Sequence, residues 1–391
     1  MNRLRINLDA LHHNLTMVTG WLAPSDAHWT LVSKVLCGNK ELLQALMNMG
    51  VRSMGDTRML NLQAVADLDE NLERWYFRVP HLSIAPDVVR LAQASLNSEI
   101  EVIERLNEEA VKLQMMHKII IMIELGDLRE GILPGSLVNF YRKVYQLPNI
   151  EVIGIGTNLG CLSGLIPNVD HLTQLVLYRE LLELKFNHRL PLISAGTSSI
   201  LPLLSRRQVP KAINHWRIGE SLFIGSDLIN NGTLEGFRDD VFILEAEIAE
   251  IKQKNMAPAG ETGSLRPFEV NPDEAAAPGQ RGRRALITIG ELDTDVHGLK
   301  PLNVAHRVVG ASSDITVIHV GDQEGVPPPK VGDVLPFKLN YSALLRLMNN
   351  RYVEKHIEPL ASTDGRNTLI VNKPTLTAIS KEEDMHVQLT P

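Results

Sequence analysis

The chain has 391 residues, is 44% hydrophobic and carries a formal net charge of −7, the make-up of an ordinary globular protein with enough apolar material for two cores. No apolar run approaches the roughly 18 residues of a membrane span, the segment Met1–Asp9 lacks a signal-peptide core, and the negative balance gives no reason to expect nucleic acid as a partner. The two cysteines, Cys37 and Cys161, fit no zinc pattern and suit a reducing cytoplasm.

From about residue 10 to 225, apolar β-rich runs alternate with helix-period stretches such as Lys40–Gly50 and Thr173–Leu184. Eight strands are expected: Thr30–Lys34, Arg52–Gly55, Arg74–Val79, Leu91–Leu96, Lys118–Glu124, Glu151–Thr157, Leu190–Ala195 and Ala212–Ile218. Eight βα units in this length predict an α/β fold, a (β/α)₈ TIM-type barrel with its site at the C-terminal strand ends. A doubly wound sheet is the competing arrangement, disfavoured because no Gly-rich dinucleotide fingerprint follows the first strand. After Ile224 the texture changes to short β-like runs at Ala285–Ile289, Ile315–Val320 and Val334–Leu339. The expected division is a barrel over residues 10–228, and a mainly β C-terminal domain from 1–9 plus 229–391 with a flexible Pro/Gly/Ala-rich insertion near 252–284. The basic cluster Arg281, Arg283 and Arg284 reads as a solvated loop, and the polar tail after about Lys381 as frayed.

Unusual residues gather at the expected strand ends. Lys34 follows the first strand, where partial desolvation disfavours the ammonium and frees a nucleophile for an aldehyde cofactor such as pyridoxal phosphate; a solvated strand end is the plainer reading. Arg129, in Gly126-Asp127-Leu128-Arg129-Glu130-Gly131, either holds a substrate carboxylate or the cofactor's phenolic oxygen, or pairs with Asp127 or Glu130. Asn158 follows the sixth strand. The seventh and eighth strand ends form the usual phosphate cradle of this fold, for which Ser198, Gly219 and Glu220 are candidate donors; a helix N-cap and a simple turn are the alternatives. Arg217 is either half of an ordinary ion pair or a cation aimed at an anion or ring nitrogen. A guanidinium keeps its proton, so against a pyridine nitrogen it would leave that nitrogen unprotonated and favour returning a proton to Cα over transamination.

Together with Arg5-Ile6-Asn7-Leu8-Asp9-Ala10-Leu11-His12-His13-Asn14, Ser33-Lys34-Val35-Leu36-Cys37-Gly38, Arg217-Ile218-Gly219-Glu220, Gly310-Ala311-Ser312-Ser313-Asp314 and Leu339-Asn340-Tyr341-Ser342-Ala343-Leu344-Leu345, these motifs resemble the fold-type III pyridoxal-phosphate enzymes. That group is the alanine racemase superfamily, and within it the chain most resembles the ornithine-racemase-like amino acid racemases. The resemblance implies pyridoxal 5'-phosphate as cofactor, carried by Lys34, which also acts as one acid/base. It implies Arg217 at the pyridine nitrogen, Ser198, Gly219 and Glu220 at the phosphate, and Arg129 near the phenolic oxygen and substrate carboxylate. Asn158 takes the place of a ring-stacking histidine. A head-to-tail homodimer is implied, with Asp314, Tyr341 and Tyr352 of one subunit near the cofactor of the other.

Two departures stand out. Alanine racemase proper has a phosphate-binding tyrosine four residues after its lysine, where this chain has Gly38. Its second base is a tyrosine in a C-terminal-domain turn, where this chain reads Ile289-Gly290-Glu291-Leu292-Asp293-Thr294-Asp295-Val296-His297-Gly298. Asp293, Asp295 and His297 are the candidates for that role, and histidine needs the least perturbation at neutral pH; an Asp-rich β-turn is the plain alternative. The expected activity is racemisation of a basic amino acid such as ornithine, lysine or arginine. The alternatives are a lyase of the same fold type (aldolase or dehydratase), a non-catalytic pyridoxal-phosphate-binding homeostasis protein, and a barrel enzyme without this cofactor. The lyases use a His-X-Cys metal arrangement in the C-terminal domain, yet both cysteines here precede residue 162, so no metal is expected. The homeostasis proteins lack a second domain.

Overall fold

A computed structural model describes residues 2–25, 27–257, 260–261, 279–361, 371–377 and 379. The chain divides into two compact units. The first strand, β1 (Arg3–Asn7), belongs to a β unit formed by Met1–Leu11, Phe223–Gly225 and Arg238–Thr363; the barrel unit comprises His12–Leu222, Ser226–Phe237 and Asp364–Pro391.

In the barrel unit, β2 (His28–Val32), β3 (Ser53–Asp56), β4 (Glu73–Tyr76), β5 (Ala94–Asn97), β6 (His117–Met122), β7 (Ile150–Thr157), β8 (Leu192–Ala195) and β9 (His215–Ile218) are parallel and close in sequence order. All eight expected strands are present, shifted by a few residues. Every residue of β3, β4, β5, β8 and β9 is buried, because a barrel strand meets packed side chains inside and helices outside. Burial on both faces removes the inside–outside alternation of a half-exposed strand. The interior is filled by Trp75, Phe77, Leu96, Ile120, Met122 and Leu192.

Residues 371–377 and 379, expected with the β domain, belong to the barrel unit instead. Leu376 and Ile379 join its apolar interior, and Asn372 makes four hydrogen bonds at the strand starts. Its Oδ1 accepts from the amides of Arg52 (2.6 Å) and Ser53 (3.2 Å), and its Nδ2 donates to the carbonyls of Trp29 (3.2 Å) and Ser53 (2.9 Å). The Leu376 amide donates to Glu73 Oε2 at 2.6 Å. The segment therefore floors the N-terminal end of the barrel, satisfying backbone groups that burial would otherwise leave unpaired. The tail after Lys381 lies outside the described residues.

The β unit is built on the long strand β10 (Phe242–Asn255), followed by β11 (Arg281–Ile287), β12 (Leu299–Pro301), β13 (His306–Ala311), β14 (Thr316–Val320), β15 (Val334–Leu339) and β16 (Glu354–Glu358). The sheet runs β12-β15-β10-β11-β14-β13, and β1 pairs with both β10 and β16. Glu245 on β10 meets Arg3 at 2.6 Å and Arg5 at 3.2 Å. The expected insertion at 252–284 is corrected at both ends: Lys252–Asn255 pairs antiparallel with Arg281–Arg284 as a ribbon. Its residues are mostly polar, so the apolar alternation that marks a half-buried strand is absent there. Residues 262–278 lie outside the described set. Among the described residues, no helix is long and apolar enough to cross a membrane.

Replacing Asn372 leaves several buried backbone groups without partners. Asn372→Ala is expected to lower unfolding stability by about 3 kcal/mol, read from the midpoint of urea denaturation; an unchanged midpoint would show that the floor contributes nothing.

Candidate active site

The C-terminal strand ends of the barrel bring the expected residues together. Lys34 begins a one-turn 3₁₀ helix, Lys34–Leu36, two residues after β2 ends. That turn is anchored by Ser33, whose amide donates to the Gly55 carbonyl (2.9 Å) and whose hydroxyl donates to Asp56 (2.8 Å). Cys37 and Gly38 follow with φ of 50° and 72°, both left-handed. A Cβ at position 38 would lie 3.1 Å from Asn61 Oδ1. This backbone explains why a tyrosine does not occupy the position: the turn that presents Lys34 is built for glycine.

The Glu220 carboxyl is pushed up to about 6 by burial, with the charge of Lys34 opposing that rise. Ser198 is buried, and its Oγ accepts from the amides of Gly219 and Ser221 at 3.3 Å each. The amide of Ser221 thus joins that of Gly219 around Ser198. At Gly219 a Cβ would lie 2.9 Å from Val32 Cβ, so only glycine brings this amide so close to β2.

Arg217 is 2% exposed. Its guanidinium donates to the Ser194 carbonyl (3.0 Å), Ser194 Oγ, the Thr157 carbonyl (2.7 Å) and Asn158 Oδ1 (2.7 Å). Burial lowers its pKa to about 10, which still leaves it charged at neutral pH. Asn158 connects this cation to an anion, accepting from Arg217 and donating to Glu130. Glu130 in turn forms a two-point ion pair with Arg129, with Arg129 Nη2 donating at 2.5 Å. Arg129 therefore pairs with Glu130 and not with Asp127. The Asp127 carboxylate is fully buried and accepts backbone amides from Gly160 (3.2 Å), Cys161 (3.1 Å), Leu162 (3.2 Å) and Ser163 (3.1 Å). Glu124 organises its own loop, accepting from Leu128 N (3.1 Å) and Arg129 N (3.2 Å). Glu130 and Ser194 carry no functional signal of their own in the sequence: the loop after β6 brings Glu130 to Asn158, and strand register brings Ser194 to Arg217.

A family model for the N-terminal domain of alanine racemase matches residues 6–227. Ornithine racemase of Acetoanaerobium sticklandii is 34% identical over 359 residues, covering 91% of this chain and 99% of that protein. The chain belongs to the alanine racemase family. Lysine racemase of Thermotoga maritima is 32% identical over 359 residues, covering 91% of the chain and 98% of its own length. The solved alanine racemase of Streptomyces coelicolor A3(2) shares the fold, with a TM-score of 0.68 at 15% identity over 91% of this chain and 97% of that one.

In this family member the remaining candidates lie in the β unit. Asp293 Oδ2 accepts from Gly290 N (3.1 Å) and Oδ1 from Asn350 Nδ2 (2.8 Å), so both its oxygens shape the turn. Asp295 precedes the short turn Val296–Gly298 and makes no capping bond. His297 is exposed and lines a 460 Å³ cavity with Glu291, Lys300, His306 and Arg307. Tyr352 is 77% exposed; its hydroxyl accepts from Arg351 at 2.6 Å while the same guanidinium sits 4.9 Å above its ring. The Asp314 carboxylate accepts from the hydroxyls of Ser312 (3.3 Å) and Ser313 (3.1 Å).

Because burial raises the Glu220 carboxyl to about 6 in the folded protein, its neutral form favours the fold. That contribution is fully present below the unfolded value and is lost as pH rises through about 6. Glu220→Gln is therefore expected to gain about 2 kcal/mol relative to the parent between about pH 4 and about pH 8. Urea unfolding at both pH values measures it, and a pH-independent difference contradicts it.

Proposed function

We propose that this protein is a pyridoxal-5'-phosphate-dependent amino acid racemase, an isomerase, acting on a basic amino acid such as ornithine, lysine or arginine. The observation that carries the reading is full-length similarity to an ornithine racemase and a lysine racemase, joined to a barrel mouth that assembles Lys34, Arg217 and the Ser198 cluster. The site fits the cofactor. Ser198 Oγ with the amides of Gly219, Glu220 and Ser221 suits a phosphate, the half-buried Lys34 amine suits an aldehyde, and Arg217 suits a ring nitrogen. When bound, the cofactor would supply an electrophilic aldehyde and a conjugated ring able to accept charge from the substrate Cα.

Lys34 serves as the amine that holds the cofactor and, once displaced, as the base on one face of Cα. Arg217 remains a cation and does not surrender its proton to a ring nitrogen, which keeps the site committed to returning a proton to carbon. Arg129, held by Glu130, offers its guanidinium to the substrate carboxylate or the phenolic oxygen. Asn158 holds Arg217 and Glu130 at fixed spacing. The opposite face needs a second group. Of the three candidates, Asp293 is occupied by its turn, and Asp295 and His297 are left; His297 is exposed and lines the cavity beside Glu291 and Lys300. The protein acts in the cytoplasm as a homodimer, with each barrel mouth completed by the β domain of the other copy, where Tyr352, Tyr341 and Asp314 lie near the cofactor.

With pyridoxal phosphate in deuterated water, α-proton exchange and D-isomer formation are expected for ornithine, lysine or arginine ahead of alanine and serine, and Lys34→Ala abolishes both. Imine absorbance without exchange on any member of that panel would sink the racemase reading and favour a lyase or a cofactor carrier. His297→Asn is expected to slow racemisation by about 10²-fold or more; an undiminished rate moves the second base to Asp295.

A further inference from the structure

Arg217 is the upper end of a line of polar side chains that descends through the barrel. Ser194 Oγ, which accepts from Arg217, lies 2.8 Å from His215 Nδ1. His215 Nε2 lies 3.0 Å from Thr30 Oγ1, and Thr30 Oγ1 lies 2.9 Å from Ser53 Oγ. Ser53 donates to Glu73 Oε1 at 2.7 Å. Glu73 also accepts from Trp75 Nε1 (2.8 Å) and from the Leu376 amide of the barrel floor (2.6 Å). Thr30, Ser53, Ser194 and His215 are all fully buried, and the His215 ring stacks on Trp75 with 4.9 Å between centroids.

Proton counting gives this line a single direction. A carboxylate only accepts, so Ser53 spends its one proton on Glu73. Ser53 must then receive a proton from Thr30, because otherwise no hydrogen occupies the 2.9 Å contact. Thr30 has then no proton for His215 and must accept from Nε2–H. At the other end a guanidinium only donates, so Ser194 accepts from Arg217 and is free to donate to a bare Nδ1. A charged ring would satisfy the geometry too, but burial and the nearby Arg217 charge both hold His215 well below its usual range. The ring is therefore neutral.

We propose that His215 is a positioning residue for Arg217, held with its proton on Nε2 by a one-way hydrogen-bond chain from the Arg217 guanidinium through Ser194, Thr30 and Ser53 to Glu73 at the barrel floor. The chain fixes a lone pair of Ser194 toward Arg217 and so sets the plane in which the guanidinium lies. Its mechanistic value rests on the reading that Arg217 meets the cofactor's ring nitrogen, while the chain itself is tested apart from that reading.

Two-bond ¹H–¹⁵N NMR on histidine-labelled protein without added cofactor, with the signal assigned by its loss in His215→Gln, is expected to show the Nε2–H neutral form throughout about pH 5.5 to 8.5. An Nδ1–H or charged ring overturns the chain, whatever the protein catalyses. In the pyridoxal-phosphate-loaded enzyme, Thr30→Val interrupts the chain at constant shape. It is expected to lower kcat about tenfold with KM nearly unchanged, and to shift the cofactor absorption maximum, with Thr30→Ser restoring both. Parental kcat and spectrum in Thr30→Val, even with a lowered melting temperature, reduce the chain to packing and overturn the positioning role. If Thr30→Val does not fold, the NMR result decides the chain, and Ser53→Ala, which removes the group that takes the Thr30 proton and so interrupts the chain one link lower, carries the same kinetic test.

Discussion

A guanidinium removed from water must find an acceptor for each of its N–H groups, and Arg217 has almost no exposure. None of its hydrogen bonds goes to a carboxylate. They go to two backbone carbonyls, a serine hydroxyl and an asparagine amide. Desolvating a cation among neutral dipoles is tolerable only where each dipole is held in place. The surroundings of Arg217 are organised to that end: Thr157 and Asn158 at the end of β7, Ser194 on β8, and Arg217 on β9. The carboxylates act at one remove, Glu130 through the Asn158 amide and Glu73 through the hydroxyl and imidazole groups below. The positive charge is thereby kept, while no anion sits directly against it.

The mouth loops follow the same logic of fixed backbone. Four consecutive amides, Gly160 to Ser163, converge on buried Asp127, and the amides of Leu128 and Arg129 converge on Glu124. Each loop is therefore held by a carboxylate from the neighbouring loop or strand end. Arg129 is consequently presented from an anchored backbone, with its side chain set by Glu130. A long cationic side chain on an unanchored loop would lose rotamer entropy at every binding event.

Much of this was legible in the sequence, for identifiable reasons. Barrel strands bury both faces, so their apolar runs and their spacing announced the fold. Lys34, Arg129, Asn158, Ser198, Arg217 and Gly219 stand at strand ends, where polar residues interrupt those runs. What escaped notice depends on closure. Ser194, His215, Thr30, Ser53 and Glu73 lie inside strands and read singly as small or polar residues at apolar positions. Only the registers of β2 with β3 and β9, and of β8 with β9, bring them into line. The floor segment was misplaced because Val371, Asn372 and Leu376 stand among polar residues with no periodic pattern. The β10–β11 ribbon has the sequence texture of a loop because both of its strands carry charge where they leave the core.

The floor has a consequence for the order in which the protein is made. All eight barrel strands are synthesised before the residues that cap the starts of β3 and β4, which follow the last strand of the β unit. Until that segment is made, the backbone amides at the lower rim and the Glu73 carboxylate lack the partners they have in the fold, although domains generally fold as units from the N-terminus during synthesis. The lower rim can therefore be closed only by a segment that the ribosome delivers after both units' strands.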